Sequence, residues 1–111
     1  MNGDWVDVCA LGAVVPDTGV GALVAGRQLA IFRLADGSVH ALSGFDPFSK
    51  AFVLARGIVG DRAGAPKVAS PIFKQSFDLR TGQCLDDPGV RIPVHGARLR
   101  DGRIEVCLAT S

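Results

Sequence analysis

Apolar residues along this chain recur mostly at every second position, and no segment sustains a 3.6-residue apolar period between helix caps. Trp5 to Cys9 alternates as a strand, and Leu11 to Val15 leads into a loop at Pro16-Asp17. Gly19 to Val24 is apolar and glycine-rich, and Ala25-Gly26-Arg27 turns. Leu29 to Leu34 predicts a strong strand and Val39 to Leu42 its return, with Asp36-Gly37 between them. That dipeptide predicts a two-residue turn of the primed kind, because both positions tolerate positive φ. The seven residues from Arg33 to Val39 resemble those from Arg98 to Ile104, both reading Arg-Leu-x-Asp-Gly-x-Val/Ile. Two hairpins that solve one turn problem alike explain this more simply than an internal duplication. Beyond the second turn Ile104, Val106 and Leu108 alternate again.

Between these hairpins the pattern changes. Ser43 to Val94 holds most of the prolines and most of the irregular sequence. Asp46 to Arg56 has room for one short helical turn, and the chain is expected to turn again over Arg56 to Asp61. Arg62 to Pro66 reads as a hairpin tip, and Lys67-Val68-Ala69 as a strand running to a corner at Ser70-Pro71-Ile72-Phe73. Gln75 to Leu79 alternates, with Phe77 and Leu79 on one face. Arg80-Thr81-Gly82 then turns with Gly82 at positive φ, and Gln83-Cys84-Leu85 returns. The expected architecture is all-β. One domain over residues 1–111 has outer strands that frame an inserted, loop-rich subdomain of about residues 43–94.

Composition narrows the function classes. Twelve basic and eleven acidic residues leave a net charge of +1, which argues for neither nucleic acid nor an anionic membrane as partner. The first residues carry no basic segment and no apolar h-region, and the apolar runs are short, so a cytoplasmic location is expected. Cys9, Cys84 and Cys107 show no Cys-x-x-Cys spacing and read as buried free thiols. His40 reads as a surface or satisfied strand residue, and His95 as part of a turn. Neither has a cysteine at a metal-site spacing. Five of the ten aspartates (Asp36, Asp61, Asp86, Asp87, Asp101) are read as turn residues, and Glu105, the only glutamate, lies on a strand. No local pattern of nucleophile and base is present, so composition and motif alone point to a binding or assembly role.

The two corners carry a resemblance. Phe77-Asp78-Leu79-Arg80-Thr81-Gly82 resembles the Phe-Asp-x-x-x-Gly hairpin that follows the second ligand loop of Rieske [2Fe–2S] domains. On that alignment Ser70-Pro71-Ile72-Phe73 stands where Cys-Pro-x-His would, and Asp46-Pro47-Phe48 where Cys-Pro-His would. The resemblance thus implies that all four ligand positions are replaced, by Asp46, Phe48, Ser70 and Phe73. Phenylalanine has no donor atom, and the oxygens of serine and aspartate suit a soft cluster poorly. Two phenylalanines in place of imidazoles imply an apolar filling of the former pocket. Together with Arg56-Gly57-Ile58-Val59-Gly60-Asp61, these blocks resemble the small subunit of assimilatory NAD(P)H-dependent nitrite reductases, from Trp5 to Val106.

That resemblance implies an accessory subunit with no cofactor or catalytic residue of its own. Its partner would be a large subunit carrying FAD, a [4Fe–4S] cluster and siroheme, which reduces nitrite to ammonium by six electrons. Lys74, Gln75 and Arg80 flank the corner and Arg56 precedes the other block, which makes these four the candidate contacts to the partner. Apolar surface kept for a partner would drive self-association of the isolated chain. Two other readings are a Rieske-type ferredoxin that transfers electrons and a standalone metal-free binding module.

Overall fold

Residues 4–109 are described by the computed structural model; the N-terminal tip read above as leader-free lies partly outside them. The strands, in chain order, are β1 (Val6–Ala10), β2 (Thr18–Val24), β3 (Arg27–Arg33), β4 (Val39–Ser43), β5 (Phe45–Asp46) and β6 (Ala51–Phe52). They continue as β7 (Ile58–Arg62), β8 (Ala65–Ala69), β9 (Ser76–Asp78), β10 (Val94–Arg100) and β11 (Arg103–Cys107). The only helical turns among the described residues are short 3-10 segments at Leu11–Ala13 and Leu54–Arg56. The fold is all-β.

Six strands form an antiparallel sheet in the order β1-β11-β10-β4-β3-β2. The sheet curls until its edges β1 and β2 face each other across a cleft lined by Val6 to Cys9 and Val20 to Val24, so it approaches a closed barrel. The long connection between β4 and β10 carries a two-stranded sheet, β5-β6, and a three-stranded sheet, β7-β8-β9.

Strand β3 joins the two parts. Leu29 and Ile31 point into the barrel with Val14, Val24, Ala41, Ile104 and Val106. Ala30 and Phe32 point the other way, into a second core with Leu42, Leu54, Val68, Phe77, Leu79 and Ile92. Burial on both faces explains the unbroken apolar run of β3, which a strand with one wet face would not need. Each fully buried Phe or Leu contributes about 2–3 kcal/mol to holding the inserted sheets on the barrel.

Several local expectations change. Asp36-Gly37 is not a primed two-residue turn. Gly37 alone takes positive φ (92°). Leu34 N–H donates to Ser38 O (2.9 Å) and Gly37 N–H to Leu34 O (3.0 Å), so a three-residue loop ends on a left-handed glycine. Asp101-Gly102 does form the primed turn, with both residues at positive φ and Arg100 paired to Arg103. The two similar heptapeptides therefore turn differently. A tertiary contact helps decide it: the Asp17 carboxylate accepts the Ala35 N–H (2.9 Å), holding the first loop in its longer form. Arg56 to Asp61 is not a turn, because Ile58 onwards is strand β7 paired to β8. The helical turn expected within Asp46 to Arg56 is confined to Leu54–Arg56, since Ala51–Phe52 pairs with β5. His95 lies in strand β10, where its Cα pairs with Ala41, and not in a turn.

Candidate functional site

The corner after β8 is a tight backbone loop. The Ser70 carbonyl accepts the Lys74 N–H (3.1 Å), and the Ser70 N–H donates to Gln75 O (2.9 Å). The loop after β5 repeats this closure, with the Lys50 N–H donating to Asp46 O (2.7 Å). In both, the closing residue is a lysine in the left-handed region, φ 58° at Lys50 and 64° at Lys74.

The side chains at the heads of these loops meet. Ser70 Oγ donates to Asp46 Oδ2 at 2.5 Å, across 24 residues of sequence. Asp46 has no exposed surface, and it also accepts Ser49 Oγ on Oδ2 and the Phe48 N–H on Oδ1, each at 2.9 Å. Ser70, itself buried, accepts the Ile72 N–H at 3.3 Å. Burial pushes the Asp46 carboxyl up. The bonds from Ser70, Phe48 and Ser49 outweigh that and hold it below the usual aspartate value. The two loops are thus locked to one another by a charge-assisted hydrogen bond.

The two phenylalanines take different roles. Phe48 is half-buried, packed on the second core with its ring 6.2 Å from that of Phe77. Phe73 is 57 % exposed, so it does not fill a former pocket as the sequence implied. Phe73 sits within the turn closed by the Lys74 N–H and Ser70 carbonyl, with its side chain in solvent.

The Phe77–Gly82 hairpin supports the corner from behind. Phe77 and Leu79 are fully buried. Asp78 accepts the Arg80 backbone N–H at 2.8 Å and binds the Arg80 guanidinium at 3.2 Å. Burial raises the Asp78 carboxyl, and the Arg80 contacts bring it below its ordinary value. Gly82 has φ 76° and sits so close to the Ile92 carbonyl that no side chain fits.

Of the four candidate contact residues, Arg56 and Lys74 are exposed at the corner end. Gln75 is half-buried, and its Oε1 has no donor among the described residues. Arg80 does not flank the corner. The pairings of Lys67 with Asp78 and Ala69 with Ser76 carry β9 away from it, so Arg80 lines a groove with Asp36, His40, Asp61 and Gly64, bonded to Asp78.

His40 is half-buried with Nε2 3.2 Å from Ser38 Oγ. His95 is buried, with Nδ1 accepting the Ala109 N–H at 2.9 Å. Burial lowers both imidazoles, against the pull of Asp36 and Asp78 at His40 and helped by Arg27 at His95. Cys9, Cys84 and Cys107 are free thiols, Cys9 only half-buried. Among the described residues no group of three His, Cys, Asp or Glu side chains could hold a metal, and no helix is long and apolar enough to cross a membrane.

The Asp46–Ser70 bond has one local signature in the sequence: both residues stand before a proline at the head of a corner, a repetition that hints at paired loops. At the positions the resemblance assigns to ligands, the residues do not fit a [2Fe–2S] cluster. Two offer no donor atom, and the oxygens of the other two are engaged with each other and with Phe48, Ser49 and Ile72 of their own loops.

Residues 4–107 match the family described as the Rieske-like [2Fe-2S] domain. A nitrite reductase (NADH) small subunit from Salmonella typhimurium is 40% identical over 103 residues, 92% of this chain and 95% of that protein. A nitrite reductase [NAD(P)H] large subunit from Klebsiella oxytoca is 37% identical over 102 residues, 92% of this chain but 11% of that protein. A solved structure described as an NADH-dependent nitrite reductase small subunit from Mycobacterium tuberculosis superposes with TM-score 0.93 at 52% identity, covering 97% of each chain.

Proposed function

This chain belongs to the Rieske-like [2Fe-2S] domain family, alongside nitrite reductase small subunits, and we propose that it is a metal-free accessory subunit of an NAD(P)H-dependent nitrite reductase. Its work is to bind the large subunit in the cytoplasm. That subunit carries FAD, a [4Fe–4S] cluster and siroheme and performs the six-electron reduction of nitrite to ammonium.

The Asp46–Ser70 bond is the observation that carries the metal-free reading. In a cluster domain the heads of both loops would be held through iron. Here a 2.5 Å hydrogen bond between buried side chains does that structural work, with Phe48 packed beneath it. A chain without a redox group passes no electrons, so its contribution is shape and binding energy. The Klebsiella oxytoca protein supports the partnership: a stretch like this chain is part of a protein described as a large subunit. Covalent joining of two units in one chain is the limit of high effective concentration, which is useful when the units work in contact.

The test joins iron analysis and a visible spectrum of the purified chain with co-purification of the large subunit and NADH-driven nitrite turnover. A colourless, iron-free chain that binds and raises turnover or stability of the holoenzyme is the expected result. Stoichiometric iron with visible absorption would favour the electron-transfer reading and overturn this one. Turnover and stability that are the same with and without the chain would remove the subunit role.

A further inference from the structure

We infer that the end of the molecule formed by residues 47–58 and 70–75 is the face that docks on the large subunit, against an apolar recess rimmed by carboxylates. This deepens the proposed function and rests on it.

Three segments converge there. The Asp46–Ser70 bond joins the first loop to the corner. Ile58 pairs with Ala69, and Gly57 lies against the Ala69 carbonyl so closely that a side chain would collide with it. The face therefore includes Lys50, Arg56, Ile58 and the exposed run Pro71-Ile72-Phe73-Lys74. It carries three large apolar side chains in solvent, Ile58 70%, Phe73 57% and Ile72 48% exposed. Isolated exposed apolar residues are ordinary, but three on segments tied together by the Asp46–Ser70 bond and the Ile58–Ala69 pairing point to an interaction surface.

The charges are one-sided. Most basic side chains of the molecule have a partner: Arg62, Arg80, Arg98 and Arg103 form ion pairs, and Arg27, Arg33, Lys67 and Arg91 donate hydrogen bonds. Among the described residues only Lys50, Arg56, Lys74 and Arg100 make neither, and three of these four lie on this face. Its segments hold no acid, and Asp46, just before the first of them, is completely buried. A partner that satisfies this face supplies carboxylates beside apolar surface.

Lys50 and Lys74 close equivalent turns at positive φ, where glycine is the unstrained residue, so glycine can replace either cation without straining the backbone.

The experiment measures binding of the full chain to the purified large subunit at low and moderate salt, with melting curves and sedimentation of every variant alone. Phe73→Ala should weaken binding about thirty-fold, the loss typical of an interface anchor. Lys50→Gly, Lys74→Gly and Arg56→Ala should each weaken it several-fold and flatten its salt dependence, while their melting temperatures hold or rise. Lys74→Arg should restore most of the affinity. Arg100→Ala and Val15→Ser, on the barrel, should bind like wild type. Corner variants that bind like wild type would overturn the assigned face and leave the accessory-subunit reading standing. A wild-type chain that does not bind the large subunit would remove that reading itself. If Phe73→Ala abolishes self-association and leaves large-subunit binding intact, the face is an interface between copies of this chain, and the inference fails.

Discussion

Removing the Ser70 hydroxyl tests what holds the two corners together. Ser70→Ala removes only the hydroxyl, and with it the bond to Asp46 and the longer one (3.3 Å) that Ser70 Oγ accepts from the Ile72 N–H. The bond is short (2.5 Å), its acceptor is a carboxylate and both residues are buried, 0% and 1% exposed. Hydrogen bonds to charged groups contribute about 1.5–3 kcal/mol, so a loss of about 2 kcal/mol is expected. For a domain of this size that lowers the melting temperature by about 8 °C. A cycle with Asp46→Asn should show coupling of about 1–2 kcal/mol. The pH dependence has a definite sign. The folded Asp46 carboxyl lies below its ordinary value of 3.8, because three donated bonds outweigh burial. Its stabilisation is fully present above 3.8 and is lost as pH falls through the folded value. The gap between wild type and Ser70→Ala should therefore be constant from pH 8 to 5 and close in acid. Differential scanning calorimetry with matched far-ultraviolet spectra measures it. Equal melting of the two proteins, or zero coupling in the cycle, would refute the claim that this bond locks the loops.

Gly82→Ala combines a left-handed φ (76°), costing about 1–2 kcal/mol in a residue with a side chain, with a collision against the Ile92 backbone. It should lower the urea midpoint by about 2 M, whereas Gly37→Ala, also left-handed but facing open space, should lower it by well under half as much. His40 and His95 have folded values below 6.5, so the unfolded chain takes up protons first as pH falls through 6.5, and stability declines from there. His95→Asn, which keeps an acceptor for the Ala109 N–H, should reduce that slope between pH 7 and 5; an unchanged slope would count against it. The fourfold variant Asp46→Cys, Phe48→His, Ser70→Cys and Phe73→His should take up iron and sulfide and gain visible absorption, while wild type stays colourless. If the folded variant takes up no iron where a Rieske ferredoxin does, the assignment of these positions is wrong.

Much of this protein is legible one residue at a time. Alternation marks β1, β4 and β11, the two-faced apolar run marks β3, and Gly82 marks its turn, because each depends on neighbours two or three residues away. Residue type also decides the chemistry at Phe48 and Phe73, since a side chain without a donor atom cannot gain one by folding. Tertiary structure decides the rest. The longer of the two Asp-Gly loops is tied to Asp17, 18 residues earlier, by a bond that the pair itself does not announce. Phe48 and Phe73 read alike in the sequence, yet one packs on Phe77 and the other faces solvent. Arg80 lies near Lys74 in sequence but is carried to the other end of a strand and bound by Asp78. The Asp46–Ser70 bond spans 24 positions and exists only when two separate loops are brought together. Short-range sterics and hydropathy act along the chain and can be read there. Contacts between distant segments depend on the path of the backbone, and that path is set by two cores sharing one strand.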